Sequence, residues 1–527
     1  MSTTPHDLHL PRPEDDVSSF PVGPSKAPSL RQRMLGRAPR VLVWLIVLGA
    51  AAYGVDLVAE LNLLPPVRSL LPWAEEEQPA TREVSAEQIV AATDELDRAL
   101  EKRLRGQGPA TTTSTKTTTT TPSTSTSTGE DRDREVAKGV TIDGTIHPLE
   151  NARALGQFYA ALRRTALKEP GALTRITHYG DSIIIEDLWT STVRRRLQER
   201  FGDGGAGFLF LARPWEWYGH LGVVMKFTDA WHYYRVTIGQ IHDAFYGYGG
   251  VSFLAAGPGS RATYATTTEG TTGRAVSRFE VYYLAQPGGG SVEVAVDGEV
   301  ADTFSTAAAA VGSAYRLVEM PDGPHTIVAQ SVGGGPVRLF GVTMERTGPG
   351  VVYDGIGLLG ASARALLEPD ETHWKEQFAH RRPDLVVLTF GTNESDHDLS
   401  LTAYREQLGR VVARIRAVAP FASCLLVGPP DRGDPSTRET RSIIPKIVGV
   451  QRDAALAGGC AFWDTYAAMG GKDTMWHWYR ANPRRAFGDL THLAPPGGEI
   501  LGDLLHAALL QGFLEYLDRR SSSGEEP

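Results

Sequence analysis

The sequence predicts an α/β protein: a doubly wound, mainly parallel sheet with helices on both faces, interrupted by an inserted antiparallel β-sandwich and preceded by a single transmembrane helix. Three observations carry this prediction. Strand-like apolar runs such as Leu385–Phe390 alternate with helical periods on either side of a central region, which is the βαβα order of a parallel sheet. Between residues 213 and 349 the helical period disappears, and short alternating runs separated by turn signals replace it, as expected of antiparallel strands. Near the N-terminus an apolar stretch over 41–64 has the length to cross about 30 Å of hydrocarbon.

Composition sets the bounds. The 527 residues suffice for two or three domains, and 41% hydrophobic residues is ordinary for a globular chain. A formal net charge of -9, with no Lys/Arg cluster interleaved with aromatics, argues against a nucleic-acid partner. The two cysteines, Cys424 and Cys460, lack metal-ligand spacing and fall in segments read as core strands. They are expected to be small buried hydrophobes, with a disulfide open if the two strands are neighbours.

Residues 1–40 are rich in Pro and charge, end in a basic run with Arg31, Arg33, Arg37 and Arg40, and read as a disordered cytoplasmic tail. The segment 41–64 tolerates Asp56 and Glu60 if they sit near the far interface. Arginines before it and acids after it put the N-terminus in the cytoplasm and the body of the chain in the periplasm or outside the cell. A cleavable signal ending near Ala50-Ala-Ala52 and a buried core helix are the alternatives, and the long region before the apolar run favours a single-pass anchor. Residues 65–108 are expected to form a stalk with a short helix. Ser85-Ala-Glu-Gln88 has capping-box spacing, and Ile89, Ala92, Leu96, Leu100 and Leu104 share one helical face that could self-associate. From 109 to 139 a Thr/Ser-rich linker is expected to give reach.

The α/β region is expected over 140–212 and 350–520, around the sandwich at 213–349. Leu149, Ala152, Leu155, Phe158 and Leu162 mark a helix that leads into a strand broken at Gly180-Asp181-Ser182. Trp189, Val193 and Leu197 continue a second helical face. The glycines of Phe201–Phe208 read as a loop, because no Gly-Lys-Ser/Thr ending follows and no strand directly precedes them. Sandwich strands are expected at 279–284, 291–296, 314–318, 325–329 and 337–342. The aromatics Trp215, Trp217, Tyr218, Trp231, Tyr233 and Tyr234 are expected to fill a core or an interface, with stacking on sugar rings as the alternative. Parallel strands resume at 351–353, 385–390, 423–428 and 460–463.

Four signals converge on the carboxyl edge of this predicted sheet, where open α/β sheets bind ligands. Ser182 follows the first strand, Gly360 the second and Asn393 the third, while Asp489 and His492 lie three residues apart on one late loop. A hydroxyl, an imidazole and a carboxylate are what acyl transfer needs, with N–H donors for the oxyanion. Ser182, His492 and Asp489 fit the first three roles; the Ser182 and Gly360 backbone N–H groups with the Asn393 amide fit the last. Asp181 is expected to brace the turn. Each residue alone also suits a cap or a turn.

Gly180-Asp-Ser182, Gly391-Thr-Asn-Glu394 and Asp489-Leu-Thr-His492, in this order, resemble the SGNH (GDSL-like) hydrolase superfamily. The block Gly357-Leu-Leu-Gly-Ala361 resembles the family's Gly-x-Asn-Gly-Ala loop but has Leu359 where Asn is common, which leaves Gly357 as an alternative to Gly360. His178–Ser182, Phe201–Phe208, the β-rich insertion, and Met469-Gly-Gly471 with Trp476 look like bacterial peptidoglycan O-acetylesterases and related carbohydrate esterases. The resemblance implies a flavodoxin-like sheet, an inserted carbohydrate-binding-like sandwich and no metal or organic cofactor. It also implies hydrolysis of an acetyl ester on a cell-wall or extracellular polysaccharide through an acyl-enzyme on Ser182. An O-acetyltransferase acting on the same glycans is the nearest alternative, followed by a small-ester hydrolase and an inactive glycan-binding wall protein. Acetylated polysaccharide or peptidoglycan, and the membrane through 41–64, are the expected partners; the oligomeric state is left open.

Overall fold

The computed structural model describes residues 85–105, 146–238, 241–396 and 399–523. The expected tail, transmembrane segment and linker lie outside these residues. Five parallel strands form the central sheet: β1 (Leu173–Gly180), β2 (Gly350–Gly357), β3 (Leu385–Thr389), β4 (Ser423–Val427) and β5 (Ala461–Trp463), in the order β2-β1-β3-β4-β5. This is a doubly wound order whose switch point lies between β1 and β3. Strand β3 is buried at all five positions. Its Leu385 and Val387 enter one core layer and Val386 and Leu388 the other, as a pleat covered on both faces requires.

The helices are α1 (Ala86–Leu104), α2 (Gly156–Ala166), α3 (Leu188–Phe201), α4 (Glu371–Arg381), α5 (Leu401–Val418), α6 (Ile444–Ala457), α7 (Thr465–Met469), α8 (Thr474–Arg480) and α9 (Pro495–Ser523). The layer containing Leu385 and Val387 includes side chains of α1, α2, α3 and α9; the other includes those of α4, α5 and α6. Among the described residues one helix, Pro495–Ser522, is long and apolar enough to cross a bilayer. Its most apolar stretch is 78% buried in the protein body, so it is a core helix.

Helix α1 begins with the expected capping box: Gln88 N–H donates to Ser85 Oγ and Ser85 N–H to Gln88 Oε1. The helix packs on the body of the protein. Ile89, Ala92, Leu96 and Leu100 are buried in the core layer that α9 and α3 line, and Asp97 pairs with Arg200 at 2.7 Å. The apolar face that could have joined a second copy is covered by the chain's own body.

Between β1 and β2 the chain builds two antiparallel sheets. One has the order 312–323, 276–285, 337–345, 251–255, 232–235, with Gly207–Leu209 also pairing with 337–345; the other runs 223–227, 261–266, 326–333, 291–296, 299–305. The strand at Gly207–Leu209 corrects the loop reading of that stretch, whose pairing partner lies more than a hundred residues downstream and is invisible locally. A buried charge network ties the insertion to the sheet. Arg381 donates to both Asp354 oxygens and pairs with Glu345, which also takes Arg175 at 2.8 Å, and Asp354 accepts from Phe208 N–H at 2.8 Å. Buried ions satisfied on every side fix one arrangement of the elements they join.

The cysteine expectation is corrected. Cys424 on β4 and Cys460, the residue before β5, form a disulfide with Cα atoms 4.8 Å apart. Pairing of β4 with β5 brings the two residues together.

Candidate active site

Strand β1 ends at Gly180, and Ser182 opens a short 3₁₀ turn, Ser182–Ile184. Asp181 caps that turn by accepting from Ile183 N–H at 3.0 Å, in line with the bracing role read from the sequence. Its carboxyl is 1% exposed, and burial pushes its pKa up to about 6 despite that bond.

From the other end of the chain, the turn at Asp489–His492 meets this serine. His492 Nε2 lies 2.9 Å from Ser182 Oγ, and His492 Nδ1 lies 2.6 Å from Asp489 Oδ2. The other Asp489 oxygen accepts from Thr491 and His492 N–H, each at 3.1 Å. With Nδ1 donating to the carboxylate, the lone pair of Nε2 faces the hydroxyl, the tautomer that lets imidazole take its proton. Partial burial would raise the Asp489 pKa, but the bonds from His492 and the two N–H groups outweigh it and hold it near 2. The Asp489 bond raises the His492 pKa against the opposing effect of burial. Leu490, between the pair, has a left-handed φ of 52°, a strained conformation for a leucine. Its side chain is buried, and its carbonyl accepts from Gly433 N–H at 2.9 Å.

The expected oxyanion donors lie on the loops after β1, β2 and β3, at the carboxyl edge of the sheet. Among the described residues, the backbone N–H groups of Ser182 and Gly360 donate to no protein acceptor. Gly360 is exposed at φ 71°, with open space where a Cβ would lie. A Cβ on Gly357 would instead meet Ile185 Cα at 2.8 Å. Gly357 therefore permits close packing, and the free amide belongs to Gly360. Asn393 Nδ2 donates to Ala361 O at 2.8 Å, which fixes its amide to the Gly360 loop and leaves its second hydrogen uncommitted.

Three positioning residues escaped the sequence reading. Glu394 is buried and accepts from Ala363 N–H at 2.8 Å and Gly391 N–H at 3.0 Å, holding the loops after β2 and β3 together. Burial, reinforced by the charge of Asp181, pushes its pKa up to about 7. Arg432, beyond β4, donates to Thr392 O and Ser395 Oγ at 2.6 Å, to Thr491 Oγ1 at 3.1 Å, and pairs with Asp396. One guanidinium thus joins the Asn393 loop to the His492 turn. Asp187 pairs with Arg194 and accepts from Leu221 N–H at 2.8 Å, anchoring the loop that carries Trp217. The available signal for Arg432 was a charged Asp431-Arg432 step at the sheet's carboxyl edge.

A cavity of about 250 Å³ opens beside Ser182 and His492, walled by Ile185, Trp217, Leu359 and Phe487. The aromatic-rich stretch divides: Trp215 and Trp231 are buried as expected of core, whereas Trp217 is 59% exposed on the cavity wall. Leu359, which replaces the common Asn, adds to that apolar wall.

Residues 327–500 match the GDSL-like Lipase/Acylhydrolase family, a segment that holds Gly360, Asn393, Asp489 and His492. No curated protein matches the chain. A solved structure of a peptidoglycan O-acetylesterase is 23% identical, with a TM-score of 0.56 over 69% of this chain and 96% of its own. A family two carbohydrate esterase from Clostridium thermocellum is 12% identical over 54% of this chain and 97% of its own, with a TM-score of 0.25. One from Corynascus thermopiles (Myceliophthora fergusii) is 14% identical over 55% and 99%, with a TM-score of 0.26. Residues 327–500 thus carry the sequence pattern of a GDSL-like hydrolase of ester bonds, and the α/β fold is shared with a peptidoglycan O-acetylesterase.

Proposed function

We propose that the protein is a membrane-anchored serine esterase that removes O-acetyl groups from a cell-wall or extracellular polysaccharide. The hydrogen-bonded series from Ser182 through His492 to Asp489 is the observation that carries this reading. Ser182 Oγ attacks the acetyl carbonyl as His492 Nε2 takes its proton. The oxyanion is received by the Ser182 and Gly360 N–H groups and the free Asn393 hydrogen. His492 then protonates the departing sugar oxygen and activates the water that releases acetate from Ser182. The small cavity suits an acetyl group, and Trp217 at its wall suits the face of a sugar ring.

Anchoring through 41–64, with the N-terminus cytoplasmic, places the body on the side where such polymers lie. The Cys424–Cys460 disulfide supports that side, because disulfides persist in oxidising compartments. The test measures acetate release from O-acetylated polysaccharide and from an aryl acetate. Ser182→Ala is expected to lose activity by about 10³-fold or more on both substrates while unfolding at the wild-type temperature. Undiminished turnover by purified Ser182→Ala protein would sink the assignment.

A further inference from the structure

Helix α8, the segment after it and the loop before α6 carry cations that the catalytic scheme does not use. Arg438 and Arg480 both lie over the Trp476 indole, at 4.9 and 5.7 Å from its centroid, and Arg484 lies over Tyr479 at 4.8 Å. The two rings are neighbours, 5.7 Å apart. All three arginines are exposed, and among the described residues none has a carboxylate partner. Many other arginines here are paired, including Arg432 and Arg441 close by in the chain. Of the neighbouring acids, Asp434 accepts from Ser436 N–H and Asp473 from Thr440 N–H, each at 2.8 Å, and the exposed Glu439 beside Arg438 forms no ion pair with it. Two guanidiniums share one indole without an anion between them, an arrangement whose mutual repulsion a bound carboxylate would relieve.

This face adjoins the reacting groups. A Cβ on Gly488, the residue before Asp489, would lie 3.4 Å from the Tyr479 ring, and Phe487 lines the cavity beside Ser182. Tyr479, with Trp476 beside it, therefore borders the loop that carries Phe487 and Asp489. The chain as a whole carries -9, so a local concentration of unpaired cations is a departure from its general field. Screening confines that departure to roughly 8–10 Å in physiological salt.

We infer that the Arg438–Arg480–Arg484 face receives carboxylates of the polymer strand, so that the preferred substrate is an acidic, carboxylate-bearing acetylated glycan. This rests on the esterase reading above. Arginine suits the role because its fork matches a carboxylate, while the aromatic rings hold each guanidinium at the surface.

The test compares kcat/KM on O-acetylated polyuronate with kcat/KM on neutral O-acetylated xylan, at low salt and at 0.5 M NaCl. Wild-type protein is expected to prefer the polyuronate, and salt is expected to erase much of that preference. In R438Q/R480Q/R484Q the ratio is expected to fall about tenfold and lose its salt dependence. The R438K/R480K/R484K variant is expected to retain part of the preference, and thermal unfolding of each variant reports that it is folded. An unchanged ratio in the folded glutamine variant, or no wild-type preference for the acidic polymer, would overturn the inference. Wild-type turnover of an aryl acetate separates the two readings: its absence refutes the esterase, whereas its presence without acidic preference refutes only the docking face.

Discussion

His492 Nε2 lies 2.9 Å from Ser182 Oγ, although 310 residues separate them in the chain. The contact forms because β1 delivers the serine to the carboxyl edge of the sheet, while the turn before α9 returns the histidine there. Proton transfer across it requires a neutral imidazole, and the Asp489 bond raises the His492 pKa above the ordinary imidazole value. Esterase activity should therefore rise with pH through a midpoint above about 6.5. Asp489→Asn should move that midpoint to lower pH and reduce kcat by about 10²–10⁴-fold. A pH–rate profile of kcat/KM for both proteins checks this, and an unmoved midpoint would contradict it.

Arg432 should act through the residues it holds. Its bonds to Thr392, Ser395 and Thr491 set the distance between the Asn393 loop and the His492 turn. Arg432→Met is expected to lower kcat on an aryl acetate about 10–100-fold with little change in KM, since small misplacements cost rate. Arg432→Lys should recover only part of the loss because a point charge cannot serve three acceptors in a plane. Equal losses in kcat and KM-derived affinity would point to a binding role.

Two buried carboxyls next to the site make stability depend on pH. Asp181 and Glu394 have folded pKa values raised to about 6 and about 7 by burial. The native state then holds more protons than the unfolded chain between about pH 4 and 7. Their contribution is complete below the unfolded pKa values and is lost as pH rises through the folded ones. Glu394→Gln should remove on the order of 3 kcal/mol of that pH-dependent change. Denaturant unfolding of both proteins at pH 4.5 and pH 7 measures it; parallel slopes in the two proteins would refute the assignment.

The disulfide closes a 36-residue separation that contains Arg432 and helix α6. Cys424→Ser/Cys460→Ser protein should lose about 4 kcal/mol if the bond acts by constraining the unfolded chain. Its melting temperature should match that of reduced wild-type protein, and reductant should leave the variant unchanged. A reductant-insensitive wild type would remove the proposed contribution.

The parallel sheet was legible because strands buried on both faces read as uninterrupted apolar runs, as at Leu385–Leu388. The positions of Ser182 and Asn393 followed from where those runs end, and Asp489 and His492 from their three-residue spacing on one late loop. Other parts were not legible because their partners are remote in sequence. Nothing local in Gly207–Leu209 announces a strand whose neighbour is Val342–Met344. Arg432 and Glu394 are polar loop residues until three loops are brought together around them. Trp217 could not be distinguished from Trp215 by composition, since only the fold decides that one is 59% exposed and the other 6%. The amphipathic face of α1 was readable, but which surface covers it was not, because the same stripe fits a second copy or the chain's own core.

Docking of α1 on α9 changes what the low-complexity segment can do. Arg105, at the end of α1, and Ile146 both belong to the body, so the Thr/Ser-rich stretch joins two points of that body. A closed loop adds nothing to a leash. If 41–64 is the anchor, the leash is only residues 65–84, about 20 residues with a fully extended length of about 70 Å. The enzyme would then work a thin layer just above the bilayer, on polymer that is newly exported or lies at the inner face of the wall.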